Sequence, residues 1–187
     1  MKHPLWENIF RSSKKESETV LALKSVPIFE ELDSSELREI EKLVYKRTYT
    51  RGEPIFLQGQ PGLGMYIILS GRVTILRENS KGENQELASL EPGAFFGDMS
   101  LLNDMPRSAM ARSDELSQVI AFFRTDLMDL LTRQPKTGIK VISGVANVIA
   151  ERLRAQNEVS QELQDRISDL EREVEELKAG QITPPPS

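Results

Sequence analysis

Pro92-Gly93-Ala94-Phe95-Phe96-Gly97-Asp98-Met99-Ser100-Leu101-Leu102, followed by Asn103-Asp104-Met105 and then Pro106-Arg107-Ser108-Ala109-Met110, is the most informative stretch of this 187-residue chain. A glycine ahead of a short helical segment offers free backbone N–H groups to an anion. A carboxylate beside those donors accepts hydrogen bonds from sugar hydroxyls. An arginine nine residues on can return to the same place and hold a phosphate with its planar fork. The combination suits a sugar phosphate, although an arginine and an aspartate at this spacing also suit a structural salt bridge.

The flanking sequence sets this stretch among strands. Pro54 to Leu57, Met65 to Leu69, Arg72 to Arg77, Glu86 to Leu90, Ser108 to Arg112 and Gln118 to Phe123 are short apolar runs separated by turn residues. Gly59-Gln60-Pro61-Gly62-Leu63-Gly64, Ser70-Gly71, Asn79 to Asn84 and Pro92-Gly93 supply the turns. Short strands at about 8–12-residue spacing predict an all-β sandwich or barrel rather than a parallel sheet. Phe56, Tyr66, Ile68, Val73, Ile75, Phe95 and Phe122 fit positions facing the interior, Arg72 and Arg77 read as solvated strand charges, and Glu53 as a turn residue without a chemical role.

Composition narrows the chemistry. There is no cysteine and one histidine, His3. Disulfides, thiolate metal sites, cysteine nucleophiles and multi-histidine metal centres are thereby excluded, so no catalytic residue and no metal ligand is assigned and the expectation is a protein that is not an enzyme and needs no cofactor. The formal net charge is −5; residues 1–24 carry +2, residues 25–134 carry −5 and residues 135–187 carry −2. Such a chain has no general attraction to nucleic acid. No apolar run is long enough to span a membrane and the N-terminus has no secretory h-region, which predicts a cytoplasmic location.

Helices flank the strands. In residues 1–24, Leu5, Trp6, Ile9 and Phe10 form a short amphipathic segment suited to docking. Asp33 caps a helix with Glu36 as the other half of a capping box, and Leu37, Ile40, Leu43 and Val44 continue it to just before Lys46, with strand periodicity starting at Thr48. Thr125 is placed to cap a helix over Asp126 to Thr132. From Lys136 to Lys178 the pattern is helical throughout, on the order of 60 Å at ~1.5 Å per residue, so its far half is expected to project. Gly180 stops it and a Pro-rich tail, 180–187, follows. Ile167 and Val174 fall at heptad position a and Leu163, Leu170 and Leu177 at d. Extended backwards, the seam takes in Ile139, Ile142, Ala146, Ile149 and Leu153 and is interrupted at Gln156 and Ser160. β-Branched residues at a with leucine at d favour a parallel two-stranded coiled coil, and Arg166 with Glu171, and Glu173 with Lys178, are opposite in sign across such a homodimer. Gly138 and Gly144 mark either a close approach or a bend.

The quoted segment resembles the phosphate-binding cassette of cyclic nucleotide-binding domains, found in the catabolite activator protein family, protein kinase A regulatory subunits and nucleotide-gated channels. Gly52 to Gly59 resembles that family's first hairpin, Met65 to Val73 its strand–glycine–strand segment, and Val26 to Leu32 the helix leading into the domain. The resemblance implies a mainly β fold with flanking helices, a jelly-roll-like β-roll over residues 25–134 followed by a long C-terminal coiled-coil helix over 135–179. It implies that Arg107 binds a cyclic phosphate with help from Ser108, and that Gly97 and the backbone of Met99 and Ser100 line phosphate and ribose. Asp98 stands where the family has glutamate for the ribose 2′-hydroxyl, about 1.5 Å shorter in reach. Ala109 is a small residue of the pocket wall, and the early long helix covers the base. Met110 offers no hydroxyl to guanine, which puts cAMP before cGMP. No helix-turn-helix follows the long helix, so direct DNA binding is not expected. The function implied is a regulator that binds a cyclic nucleotide and acts on a protein partner through a dimeric coil. The alternative is a degenerate domain serving as a dimeric scaffold without ligand.

Overall fold

The structure is a computed structural model and describes residues 16–180. The segment around Leu5, Trp6, Ile9 and Phe10 and the prolines of the tail lie outside the described residues. The chain divides into two compact units, Met1–Val145 and Ala146–Ser187.

The first unit is a β-roll with helices. Two four-stranded antiparallel sheets run in the orders β1-β8-β3-β6 and β2-β7-β4-β5. The strands are β1 (Tyr45–Tyr49), β2 (Pro54–Phe56), β3 (Gly64–Ser70), β4 (Val73–Glu78), β5 (Asn84–Leu90), β6 (Phe95–Phe96), β7 (Met110–Ser113) and β8 (Ser117–Phe123). The helices are α1 (Glu18–Lys24), α2 (Ser34–Glu41), α3 (Arg124–Arg133) and α4 (Pro135–Gly180), with single 3-10 turns at Pro27–Phe29 and Asp98–Leu101. The mainly β architecture with flanking helices is as expected, and all six strands read from the sequence are present.

Pairing of β3 with β8 organises the core. Tyr66 lies opposite Ala121 and Ile68 opposite Val119, while Met65 lies opposite Phe122 and Ile67 opposite Ile120. Because side chains alternate across a strand, this register sorts them onto two faces. Tyr66, Ile68, Val119 and Ala121 meet Tyr49, Val73, Phe96 and Ala111 inside the roll. On the other face Phe122 meets Phe29 edge-to-face at 6.2 Å, and α1 packs on β3. Phe122 is therefore buried as expected but against the helices, not inside the roll. Phe56, Ile75 and Phe95 are half-buried, the first two packed against the interior cluster.

Several boundaries differ from the sequence reading. The capping box of Asp33 and Glu36 is formed, but α2 ends at Glu41. The apolar spacing that carried the expected helix on to Leu43 and Val44 yields to strand pairing, since Tyr45 lies opposite Ala121 in β8. Thr125 does not cap α3. The cap is Phe123, still extended at ψ 151°, because its strand runs directly into the helix. The strand expected from Ser108 begins at Met110, since Arg107 belongs to the cassette.

Residues 135–145 of α4 belong to the first unit, and four contacts tie them down. Lys140 Nζ donates to Glu36 at 2.7 Å and Thr137 Oγ1 to the same carboxylate at 3.1 Å. A Cβ at Gly138 would lie 2.8 Å from the Leu131 side chain, and one at Gly144 would lie 2.1 Å from the Ile28 carbonyl oxygen. Both glycines thus serve close approach. Val141 and Val145 are fully buried, whereas Ile139 of the heptad seam is 58% exposed. In the second unit Leu163, Ile167, Leu170, Val174 and Leu177 all lie on the surface, 44–63% exposed.

Candidate ligand-binding site

Arg107 is fixed by its backbone first. Its N–H donates to the Gln60 carbonyl at 2.8 Å, its own carbonyl accepts from Gly59 N–H at 2.9 Å, and Pro106 bridges Pro61. The loop from Gly59 to Gly64, read from the sequence only as a turn, is thus the clamp for the arginine. The loop also needs its small residues: a Cβ at Gly62 would lie 2.9 Å from Ser100 Cβ and 2.9 Å from the Met105 carbonyl oxygen.

The Arg107 side chain runs inward and is 7% exposed. Nη1 donates to Ser100 Oγ at 2.7 Å and to the Gly97 carbonyl at 3.3 Å, and Nη2 donates to the Gly64 carbonyl at 2.7 Å. Nε is buried without a partner. The guanidinium lies over the Phe56 ring, 4.1 Å from its centroid, and 5.6 Å from that of Tyr66. Its hydrogen-bond acceptors include two carbonyls and a hydroxyl, all neutral. Burial pulls the guanidinium below the ordinary arginine pKa, and Tyr66 works weakly in the opposite direction. An arginine remains charged under any physiological condition, so the fold buries a full positive charge against carbonyls and a hydroxyl. That arrangement is costly unless an anion completes it.

Gly97 supplies the turn that makes room. It adopts φ +72° as the cap of the Asp98–Leu101 turn, a conformation natural to glycine. A Cβ there would sit 2.6 Å from Arg107 Nη1. The Asp98 and Met99 N–H groups precede the first bond within the turn, Ser100 N–H to the Gly97 carbonyl at 3.1 Å.

Of the residues singled out in the sequence, Gly97, Ser100 and Arg107 are brought into direct contact. Asp98 is buried at 2% exposure, and Ala109 is buried. Met99 is 57% exposed, so only its backbone is suited to line a site, and Ser108 is exposed. Gly64, Phe56 and Tyr66 were not assigned to the site from sequence. The glycine pair at 62 and 64, beside an apolar run, was the available signal for Gly64. Phe56 and Tyr66 carried none beyond their strand positions.

Comparison with known proteins agrees with the geometry. Residues 46–134 match the family model of the cyclic nucleotide-binding domain. The chain is 37% identical over 132 residues to the cyclic AMP receptor protein of Thermus thermophilus, covering 71% of this chain and 59% of that protein. It is 36% identical over 87 residues to a cAMP-dependent protein kinase regulatory subunit of Mycosarcoma maydis, covering 46% of this chain and 16% of that protein. The catabolite activator protein of Thermus thermophilus superposes with a TM-score of 0.66 at 36% identity, over 74% of this chain and 63% of that one. The chain therefore spans less than two thirds of the length of the curated relatives it matches.

Proposed function

Since residues 46–134 belong to the cyclic nucleotide-binding domain family, we propose that this chain is a non-enzymatic cytoplasmic regulator that senses a cyclic mononucleotide, cAMP ahead of cGMP. The buried Arg107, hydrogen-bonded to two carbonyls and a hydroxyl, carries this reading. The cyclic phosphate supplies a counter-charge. Ser100, Ser108 and the backbone at Gly97 to Met99 line it, and Asp98 is the residue assigned to the ribose hydroxyl. A methionine at position 110 supports the preference for adenine, since it has no hydroxyl for guanine.

The signal passes as a population shift. The ligand orders the cassette, α3 follows, and the pose of α4 changes. A parallel homodimer through Leu163, Ile167, Leu170, Val174 and Leu177 transmits the change to a protein partner, without direct contact to DNA. The exposure of that stripe and the opposite signs at its flanks support the dimer. No helix among the described residues is long and apolar enough to cross a membrane.

Titration calorimetry of the full chain with cAMP, cGMP and cyclic dinucleotides tests the reading. Heat is expected with cAMP, and Arg107→Ala is expected to weaken it by roughly 3 kcal/mol or more, over a hundredfold, as for breaking a buried charge contact. No heat with any of these nucleotides overturns the sensor. The shorter carboxylate at Asp98 then favours the second reading, a ligand-free dimeric scaffold.

A further inference from the structure

Arg107 is held by more than hydrogen bonds. Phe56 lies under the guanidinium at 4.1 Å and Tyr66 stands behind at 5.6 Å. The two rings are themselves packed, with centroids 5.5 Å apart, and Phe96 stacks on Tyr66 at 5.4 Å and 16°. Phe96 in turn lies 5.9 Å from Phe56, so the three rings form a closed triangle. Tyr66 and Phe96 belong to the buried core of the roll, and Phe56 packs on it at the end of β2, a three-residue strand.

Each ring face attracts a cation, and more strongly where water is excluded. The stack therefore fixes the plane of the guanidinium while the carbonyls and Ser100 fix its rotation within that plane. Both Nη atoms are committed and Nε is not. A planar fork held this way presents one set of donors in one orientation. That lowers the ordering cost that an anion would otherwise meet on binding.

We propose that Phe56 is a positioning residue for the ligand's phosphate: it acts through Arg107 by stacking under the guanidinium and holding it dehydrated and in plane. This rests on the reading of the site given above. A leucine at position 56 keeps the bulk but not the flat face, so the guanidinium gains freedom and water, and binding must undo both. A tryptophan or tyrosine keeps the face.

The test uses the full chain and cAMP as the probe, with two readouts. Calorimetry of wild type, Phe56→Leu, Phe56→Tyr and Phe56→Trp is expected to show about tenfold weaker binding in the leucine variant, within the range of a desolvated cation–π contact. The aromatic variants are expected to restore binding to within about threefold, on the same energy scale. Thermal melts should place the leucine and aromatic variants close together, which separates positioning from a general loss of stability. Independently of ligand, the Arg107 Nε–H resonance in nitrogen-15 spectra of the wild type is expected to carry a ring-current shift that Phe56→Leu removes. Wild-type binding of cAMP with the leucine variant unchanged overturns this proposal alone. Absence of the ring-current shift in the wild type overturns it whether or not any variant folds. Failure of the wild type to bind cAMP, with the shift present, overturns the site reading and with it the role of Phe56 toward a ligand.

Discussion

Replacing Gly97 by alanine tests whether the cassette and the arginine are built as one unit. Two costs are separable. The first is backbone: an L-residue at φ +72° pays about 1–2 kcal/mol. Gly93, at φ +88° with open space within 4 Å of where a Cβ would sit, carries that cost alone. The second is specific to Gly97, where the new methyl would lie 2.6 Å from Arg107 Nη1, 3.2 Å from the Gly64 carbonyl oxygen and 3.4 Å from Arg107 Cζ. Ordinary contact begins near 3.4 Å, so Nη1 must retreat by about 0.8 Å, enough to break or badly stretch its bond to Ser100. A hydrogen bond to a charged group contributes about 1.5–3 kcal/mol. Gly97→Ala should therefore cost about 2.5–5 kcal/mol in urea unfolding, against about 1–2 kcal/mol for Gly93→Ala. By calorimetry, Gly93→Ala should keep nucleotide affinity within about twofold, whereas Gly97→Ala should lose at least about tenfold, or 1.4 kcal/mol. Equal stability losses in the two variants, with affinity intact in both, would refute the reasoning.

Gly144→Ala is a contest between two effects: helix propensity favours alanine by about 1 kcal/mol, while overpacking costs about 1–3 kcal/mol. The new Cβ would meet the Ile28 oxygen, carbonyl carbon and Cα at 2.1, 2.7 and 2.9 Å, all backbone atoms, so overpacking wins and urea melts should show a net loss; a gain contradicts the close approach. Acid stability depends on the cap of α2. Hydrogen bonds from Ser35 and Glu36 hold Asp33 at about 2 against an ordinary 3.8. A depressed folded pKa means its contribution is present above about 4 and is lost as pH falls toward 2. Asp33→Asn should flatten that part of the curve of melting temperature against pH, and an unchanged slope counts against the cap. Leu170→Lys, at a d position, should turn a dimer into a monomer in sedimentation velocity, since two buried ammonium groups would face each other; an unchanged sedimentation coefficient removes Leu170 from the interface.

Six of the eight strands, the capping box at Asp33 and the contact of Gly97, Ser100 and Arg107 were legible because each depends on local spacing. A turn glycine, a hydroxyl three residues on and an arginine after a proline leave a readable trace. Where local spacing misled, a distant partner had prevailed. Leu43 and Val44 continue a helical pattern, yet the neighbouring Tyr45 is claimed by β8. Phe122 alternates correctly for a strand, but its parity puts it on the helix face, and only the register with Met65 fixes that parity. Thr125 has the chemistry of a cap and loses the position to Phe123, because α3 starts directly from the extended end of β8, two residues before the threonine.

By itself the amino-acid order determined the class of fold, the poverty of catalytic groups, the cassette from Gly97 to Arg107 and the heptad stripe from Leu163 to Leu177. These follow from residue type and short-range periodicity, which the chain carries before it folds. Tertiary structure alone decided how Arg107 is held. Gly64 and Phe56 lie 43 and 51 residues from it in sequence, and no local pattern links a carbonyl, a ring and a guanidinium that meet only when the sheets close. Closure also decided that Gly144 is a contact with Ile28 and not a bend, since a glycine in a helix reads the same in either case until its neighbour is in place.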